Sequence, residues 1–150
     1  MLVIGVGFQA LGLHEHLKGE SGLPIKLLLP FPAPPRAFMR SWELRRQLAR
    51  YEASENSDVF RAGAGDTSDT FDRLVSPTRS AQSRCALAPF GPKPMSLGMC
   101  IFAVLADCEV FYTQPSVYHP DYSLGVSLIN GLPEVYGYCL RIAGRDFYDP

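Results

Sequence analysis

Phe90-Gly91-Pro92-Lys93-Pro94-Met95-Ser96-Leu97-Gly98 lies between two apolar runs, Cys85 to Pro89 and Met95 to Ala106. The first run has the length of a buried strand, and the second has the length of a helix. Pro94 suits the first helical position, where its missing N–H has no intrahelical partner to lose. The stretch therefore reads as a strand-to-helix turn, and it sets an α/β reading for the whole chain. At the helix start the N–H groups of Met95, Ser96 and Leu97 are expected to be free donors. Lys93 adds a charge, Ser96 a hydroxyl, and Gly91 and Gly98 allow close approach. This is the equipment that holds a phosphate or carboxylate.

Upstream, Leu2 to Val6 reads as a short buried strand, with a helical pattern at 7–18 on Phe8, Leu11 and Leu17. The turn between them, Gly5-x-Gly7-x-x-Ala10, is a form of the dinucleotide fingerprint. That fingerprint also needs an acid at the end of the next strand, to hold a ribose hydroxyl. The next strand, Ile25 to Leu29, runs instead into Pro30-Phe31-Pro32. Gly5 and Gly7 are therefore read as a tight turn lining the same ligand edge rather than as an NAD site. Pro30 to Pro35 holds four prolines among six residues, a stiff segment suited to one wall of a cleft.

Arg36 to Tyr51 has no Gly or Pro and is rich in helix formers. On a helix Arg36, Arg40, Arg46 and Arg50 share about a third of the circumference, with Phe38, Trp42 and Ala49 elsewhere. The functional reading of that face is that Arg36 and Arg40, at the helix start, reach an anionic ligand or partner. Asp58 to Arg61 reads as a short strand. Ala62 to Gly65 lacks the Lys-Ser/Thr ending of a phosphate-binding P-loop. Asp66 to Asp69 reads as a helix N-cap with Phe71, Leu74 and Val75 behind it, and Pro77 to Arg84 as polar loop.

Downstream, the helix from Met95 to Ala106 is apolar all the way round except at Ser96, which predicts burial on every side. Glu109 to Thr113 reads as a further strand. Gln114 to Ser123 is a polar aromatic loop in which Tyr118 and His119 are candidates to stack a base or gate a cleft. His119 and Asp121 are too few for a metal site, and His14 and His16 face different sides of their segment. Glu134 to Ile142 alternates enough for an antiparallel edge strand. About five alternations of strand and helix predict a Rossmann-like α/β domain, a mostly parallel sheet with helices on both faces. The turns at 5–7, 30–35 and 91–96 would then open on one edge, where such sheets bind ligands.

The 150 residues match one domain, and 47% hydrophobic with 19% charged residues supports a buried core. A net charge of −1 gives no drive toward long nucleic acid or an anionic membrane. The thirteen N-terminal residues, mostly apolar, are too few to span a bilayer. Cys85, Cys100, Cys108 and Cys139 form no CxxC pair, which predicts buried free thiols in a reducing cytoplasm rather than zinc ligands. No metal or cofactor is expected. A chain that begins inside a strand is expected to have a preceding segment, making 1–150 the C-terminal part of a longer protein.

The stretch from Phe90 to Gly98 resembles the glycine-x-lysine-x-Met-Ser turn of CARF-type Rossmann-like sensor domains of prokaryotic defence systems. That resemblance implies a cyclic oligoadenylate ligand, with Lys93, Ser96 and Gly91 holding it, and a homodimer with the ligand across its two-fold axis. A rival reading takes Pro94-Met95-Ser96-Leu97-Gly98 as a degenerate nucleophile elbow, followed by Asp107 and His119. Against it, the elbow should follow its strand directly, Pro fits the strained turn badly, and Asp107 and His119 are close together in sequence. A third reading is an interaction domain using the arginine face. The reading preferred on the residues is non-catalytic sensing of a nucleotide or other anionic ligand.

Overall fold

The computed structural model describes residues 1–7, 24–32, 39, 42–43, 46, 57–80, 85–112 and 128–148. The chain divides into two units, Met1–Thr113 with Tyr148–Pro150, and Gln114–Phe147.

The first unit is built on a five-stranded, wholly parallel sheet. Its strands are β1 (Leu2–Gly5), β2 (Ile25–Phe31), β3 (Ser57–Gly63), β4 (Ala86–Pro89) and β5 (Glu109–Val110), in the order β3-β2-β1-β4-β5. The parallel sheet is of the Rossmann-like α/β class expected from the alternation of elements, and its strand order is supplied by the structure. Two helices, α1 (Thr67–Ser80) and α2 (Lys93–Leu105), follow β3 and β4. The strands are apolar on both faces, as a covered parallel sheet requires. On one face Val3, Leu28 and Leu87 pack with Phe71, Leu74, Met95, Met99 and Phe102 of the helices. On the other, Leu2, Ile4, Val6, Ile25, Leu27 and Ala88 form a second buried cluster. Fully burying each such side chain contributes about 1.5–3 kcal/mol.

Several boundaries differ from those read in the sequence. β2 continues through Pro30 and Phe31. β1 has already ended opposite Leu28, so Pro30 pairs only with β3 and its missing N–H breaks no ladder on the other side. α1 runs through Pro77 to Ser80, where a polar loop was expected. The bond Pro77 cannot make would go to the carbonyl of Arg73, an exposed residue open to water. β5 is shorter than the expected 109–113 strand. Met39, Trp42, Glu43 and Arg46 have helical backbone, in keeping with the expected helix at 36–51.

α2 is not buried on every side. Met95, Gly98, Met99, Phe102 and Ala103 face inward, while Leu97, Cys100, Val104 and Leu105 are exposed. A helix in an outer layer has only one face on the sheet, whatever its outer residues are. Cys100 on this outer face is exposed, as is Cys139 in the second unit, and Cys85 and Cys108 are only half buried, so the expected burial of all the thiols fails. All four are free.

The second unit contains two hairpins. β6 (Leu128–Ile129) pairs with β7 (Leu132–Pro133), and β8 (Arg141–Ile142) with β9 (Arg145–Asp146), both antiparallel. Asn130 and Gly131 have φ of 53° and 79°, and Ala143 and Gly144 have 48° and 80°. Both pairs are two-residue turns with positive φ, whose twist matches that of the flanking strands. Antiparallel pairing near the C-terminus was expected, but 134–140 is not strand. Asn130-Gly131 is the sequence signal that marks the first hairpin.

Candidate site at the sheet switch point

In the order β3-β2-β1-β4-β5 the chain reverses its direction of progress between β1 and β4. Open α/β sheets bind ligands beyond the strand ends at such a point. The turns after β1 and β4 meet there. A Cβ on Gly7 would fall inside the carbonyl oxygen of Phe90 and 2.7 Å from its carbonyl carbon. Gly7 is thus required by backbone contact between the two turns. Beneath them lie two thioethers. A Cβ on Gly5 would stand 2.6 Å from Met99 Sδ, and one on Gly91 would stand 2.5 Å from Met95 Sδ. Gly5, Gly7 and Gly91, read separately from the sequence, are therefore brought together over an apolar floor.

α2 opens at Pro92, whose φ of −54° and ψ of 152° are extended and whose side chain makes no cap. The Ser96 N–H donates to the Pro92 carbonyl at 2.8 Å. Ser96 N–H is therefore not a free donor, contrary to the sequence expectation, because the helix begins at Lys93. The first-turn amides without an intrahelical acceptor are those of Lys93 and Met95, Pro94 having none. Lys93 is exposed and forms no ion pair among the described residues. The positive end of the helix and a lysine thus coincide, a combination that favours an anion.

Ser96 Oγ turns back, donating to the carbonyls of Pro89 at 3.2 Å and Gly91 at 3.1 Å. One hydroxyl proton is shared between two acceptors, so it clamps the turn to the helix. Asp107 stands beyond the opposite end of α2, eleven residues from Ser96 or about 16 Å of helix. Ser96 and Asp107 are therefore too far apart to act in one relay.

The neighbouring helix start is satisfied from within. Asp66 Oδ1 accepts from the N–H groups of Ser68 at 2.9 Å and Asp69 at 3.1 Å, the expected N-cap. Asp69 Oδ2 accepts from the Gly63 N–H at 2.6 Å, and Asp69 Oδ1 meets Arg73 Nε at 3.3 Å. The two helix starts are tied together by Thr67, buried, whose hydroxyl donates to the Pro94 carbonyl at 2.9 Å. Gly98 permits this approach, since a Cβ there would lie 2.5 Å from the Thr67 carbonyl oxygen and 2.9 Å from Thr70 Cβ.

Arg61 lies 5.5 Å from the centre of the Phe31 ring, near the C-terminal ends of β3 and β2. This exposed cation–aromatic pair was not singled out in the sequence, because only register, which sets Arg61 opposite Leu29, brings it diagonally across from Phe31. Arg36, Arg40, Tyr118 and His119 lie outside the described residues, as do His14, His16 and Asp121. Among the described residues no group of three or more His, Cys, Asp or Glu side chains is arranged to hold a metal. No helix among them is long and apolar enough to cross a membrane. Comparison with protein-family models and with curated proteins finds no match for this chain.

Proposed function

We propose that this chain binds a nucleotide or other phosphate-bearing ligand at the switch point, as a sensor rather than a catalyst. The observation that carries the reading is the uncapped start of α2, with Lys93 beside it, at the sheet's switch point. The ligand's phosphate would lie above the contact between Gly7 and Phe90, against Lys93 and the Lys93 and Met95 amides. Ser96 would position the turn rather than touch the phosphate with its proton. The resemblance of Phe90 to Gly98 to defence-system sensors makes cyclic oligoadenylates the first ligands to try, with a role in antiviral signalling and a ligand shared by two copies.

The test is a thermal-shift and calorimetric panel of phosphate, mononucleotides, dinucleotides and cyclic oligoadenylates. Binding of at least one nucleotide is expected, with Lys93→Ala weakening it at least tenfold (about 1.4 kcal/mol). Absence of any shift across the panel, or covalent labelling of Ser96 by a fluorophosphonate, would sink the proposal.

A further inference from the structure

Cys85 and Cys108 stand immediately before β4 and β5, parallel neighbours paired through Ala86 and Glu109. One step back along both strands, the register sets the two cysteines side by side. The Cys85 thiol donates to the Ala86 carbonyl at 3.9 Å and the Cys108 thiol to the Ala106 carbonyl at 3.8 Å. Adjacent strands run about 4.8 Å apart, inside the Cα separation that a disulfide spans. Both side chains pack against the cluster containing Leu87 and Phe102, and both are free. They lie at the N-terminal edge of the sheet, away from Gly7 and Gly91.

We propose that Cys85 and Cys108 are an oxidisable dithiol, a modification site at which a peroxide converts the pair into an intramolecular disulfide. Cys108 Sγ is the more exposed sulfur, so it reacts first. Its thiolate attacks one peroxide oxygen, the O–O bond breaks, and hydroxide leaves as water, giving a sulfenic acid. Cys85 sulfur then attacks Cys108 sulfur. The S–S bond forms, the S–O bond breaks, and a second water carries off the Cys85 proton. Two thiols are oxidised by two electrons while one hydrogen peroxide is reduced to two waters.

Burial, with Cys108 alongside, pushes the Cys85 thiol up to about 12, and burial raises Cys108 as well. The thiolate is the reactive form. Oxidation is accordingly slow at neutral pH and accelerates by roughly tenfold per pH unit toward pH 9. The new bond would close a loop from Cys85 to Cys108 that contains β4, the turn at Phe90–Gly98 and α2.

The experiment oxidises the reduced full chain with hydrogen peroxide at several pH values. Remaining thiols are alkylated after denaturation, and digested peptides are weighed. The expected result is a peptide linked through Cys85 and Cys108. Its yield rises with pH, and a rise in Tm of roughly 5–10 °C is reversed by dithiothreitol. Cys85→Ser should stop the reaction at a Cys108 sulfenic acid that dimedone traps, and Cys108→Ala should abolish both linkage and Tm rise. The proposal is overturned if Cys85 and Cys108 stay alkylatable while the exposed Cys100 and Cys139 are consumed. It is equally overturned if Cys85 and Cys108 are recovered only in disulfides to other cysteines. The wild-type peptide map decides the matter even where a variant fails to fold.

Discussion

The starts of α1 and α2 sit on the same edge of one sheet, each following a parallel strand, yet they are completed in opposite ways. α1 carries its own anions. Asp66 and Asp69 occupy the Ser68, Asp69 and Gly63 amides, and Arg73 joins the network. α2 begins at a proline that cannot cap it, has no acid in its first turn, and bears Lys93 there instead. A helix start filled by its own carboxylates contributes to folding. One left open gives up that contribution and keeps its donors for something else. Under the proposed reading, this contrast is why an anionic ligand would go to the start of α2 rather than to that of α1.

The largest expected effect comes from breaking the frame that holds α2 open. Gly7→Ala forces a methyl into the Phe90 carbonyl. It should cost at least about 3 kcal/mol in denaturant unfolding, and an unchanged midpoint would mean the two turns do not touch. Next, Asp66→Ala should cost about 1–2 kcal/mol through loss of the α1 cap. Lys93→Ala should move stability by under about 0.5 kcal/mol while weakening nucleotide binding. Equal stability losses in the two variants would erase the contrast.

A third effect bounds the pH range in which that comparison is meaningful. Cys85 titrates near 9.0 when unperturbed and near 12 in the fold. The unfolded chain therefore releases this proton first as pH rises. The associated stability is intact below about pH 9 and is lost between there and about pH 12. Since Cys85 is only half buried, a loss of about 1–2 kcal/mol is expected after allowance for screening. Urea melts of wild type and Cys85→Ala across that range should diverge, the variant showing the flatter profile. The last variant is the most pointed. Pro92→Asp gives α2 the kind of cap that α1 has and should stabilise the protein by about 0.5–1 kcal/mol. It should also abolish nucleotide binding, and calorimetry showing unimpaired affinity would break the comparison outright.

Much of this architecture is legible in the chain itself. The strands at Leu2, Ile25, Asp58, Ala86 and Glu109 announce themselves by apolar runs, and Asp66 by its place before Phe71 and Leu74. β1, β2 and β4 end on one edge because the sheet is parallel. What was not legible depends on partners distant in sequence. Gly7 looks like half of a phosphate fingerprint until the Phe90 carbonyl is seen against it. Ser96 looks like a donor to a ligand until the carbonyls of Pro89 and Gly91 turn out to take its proton. Apolar composition around α2 predicted burial, but burial needs a neighbour on each side, and Leu97, Cys100 and Val104 are left exposed. Cys85 and Cys108 are unremarkable in sequence because only register makes them adjacent.

The crossing of α1 and α2 at Gly98 carries a consequence for the protein's evolution. The space opposite Gly98 is already taken by the Thr67 carbonyl and the Thr70 side chain. The nearer obstacle is backbone, which no side-chain change at 70 can move. In related chains position 98 should therefore stay glycine whatever stands at 70, and the crossing should be inherited as one invariant point rather than as a pair of positions that trade volume.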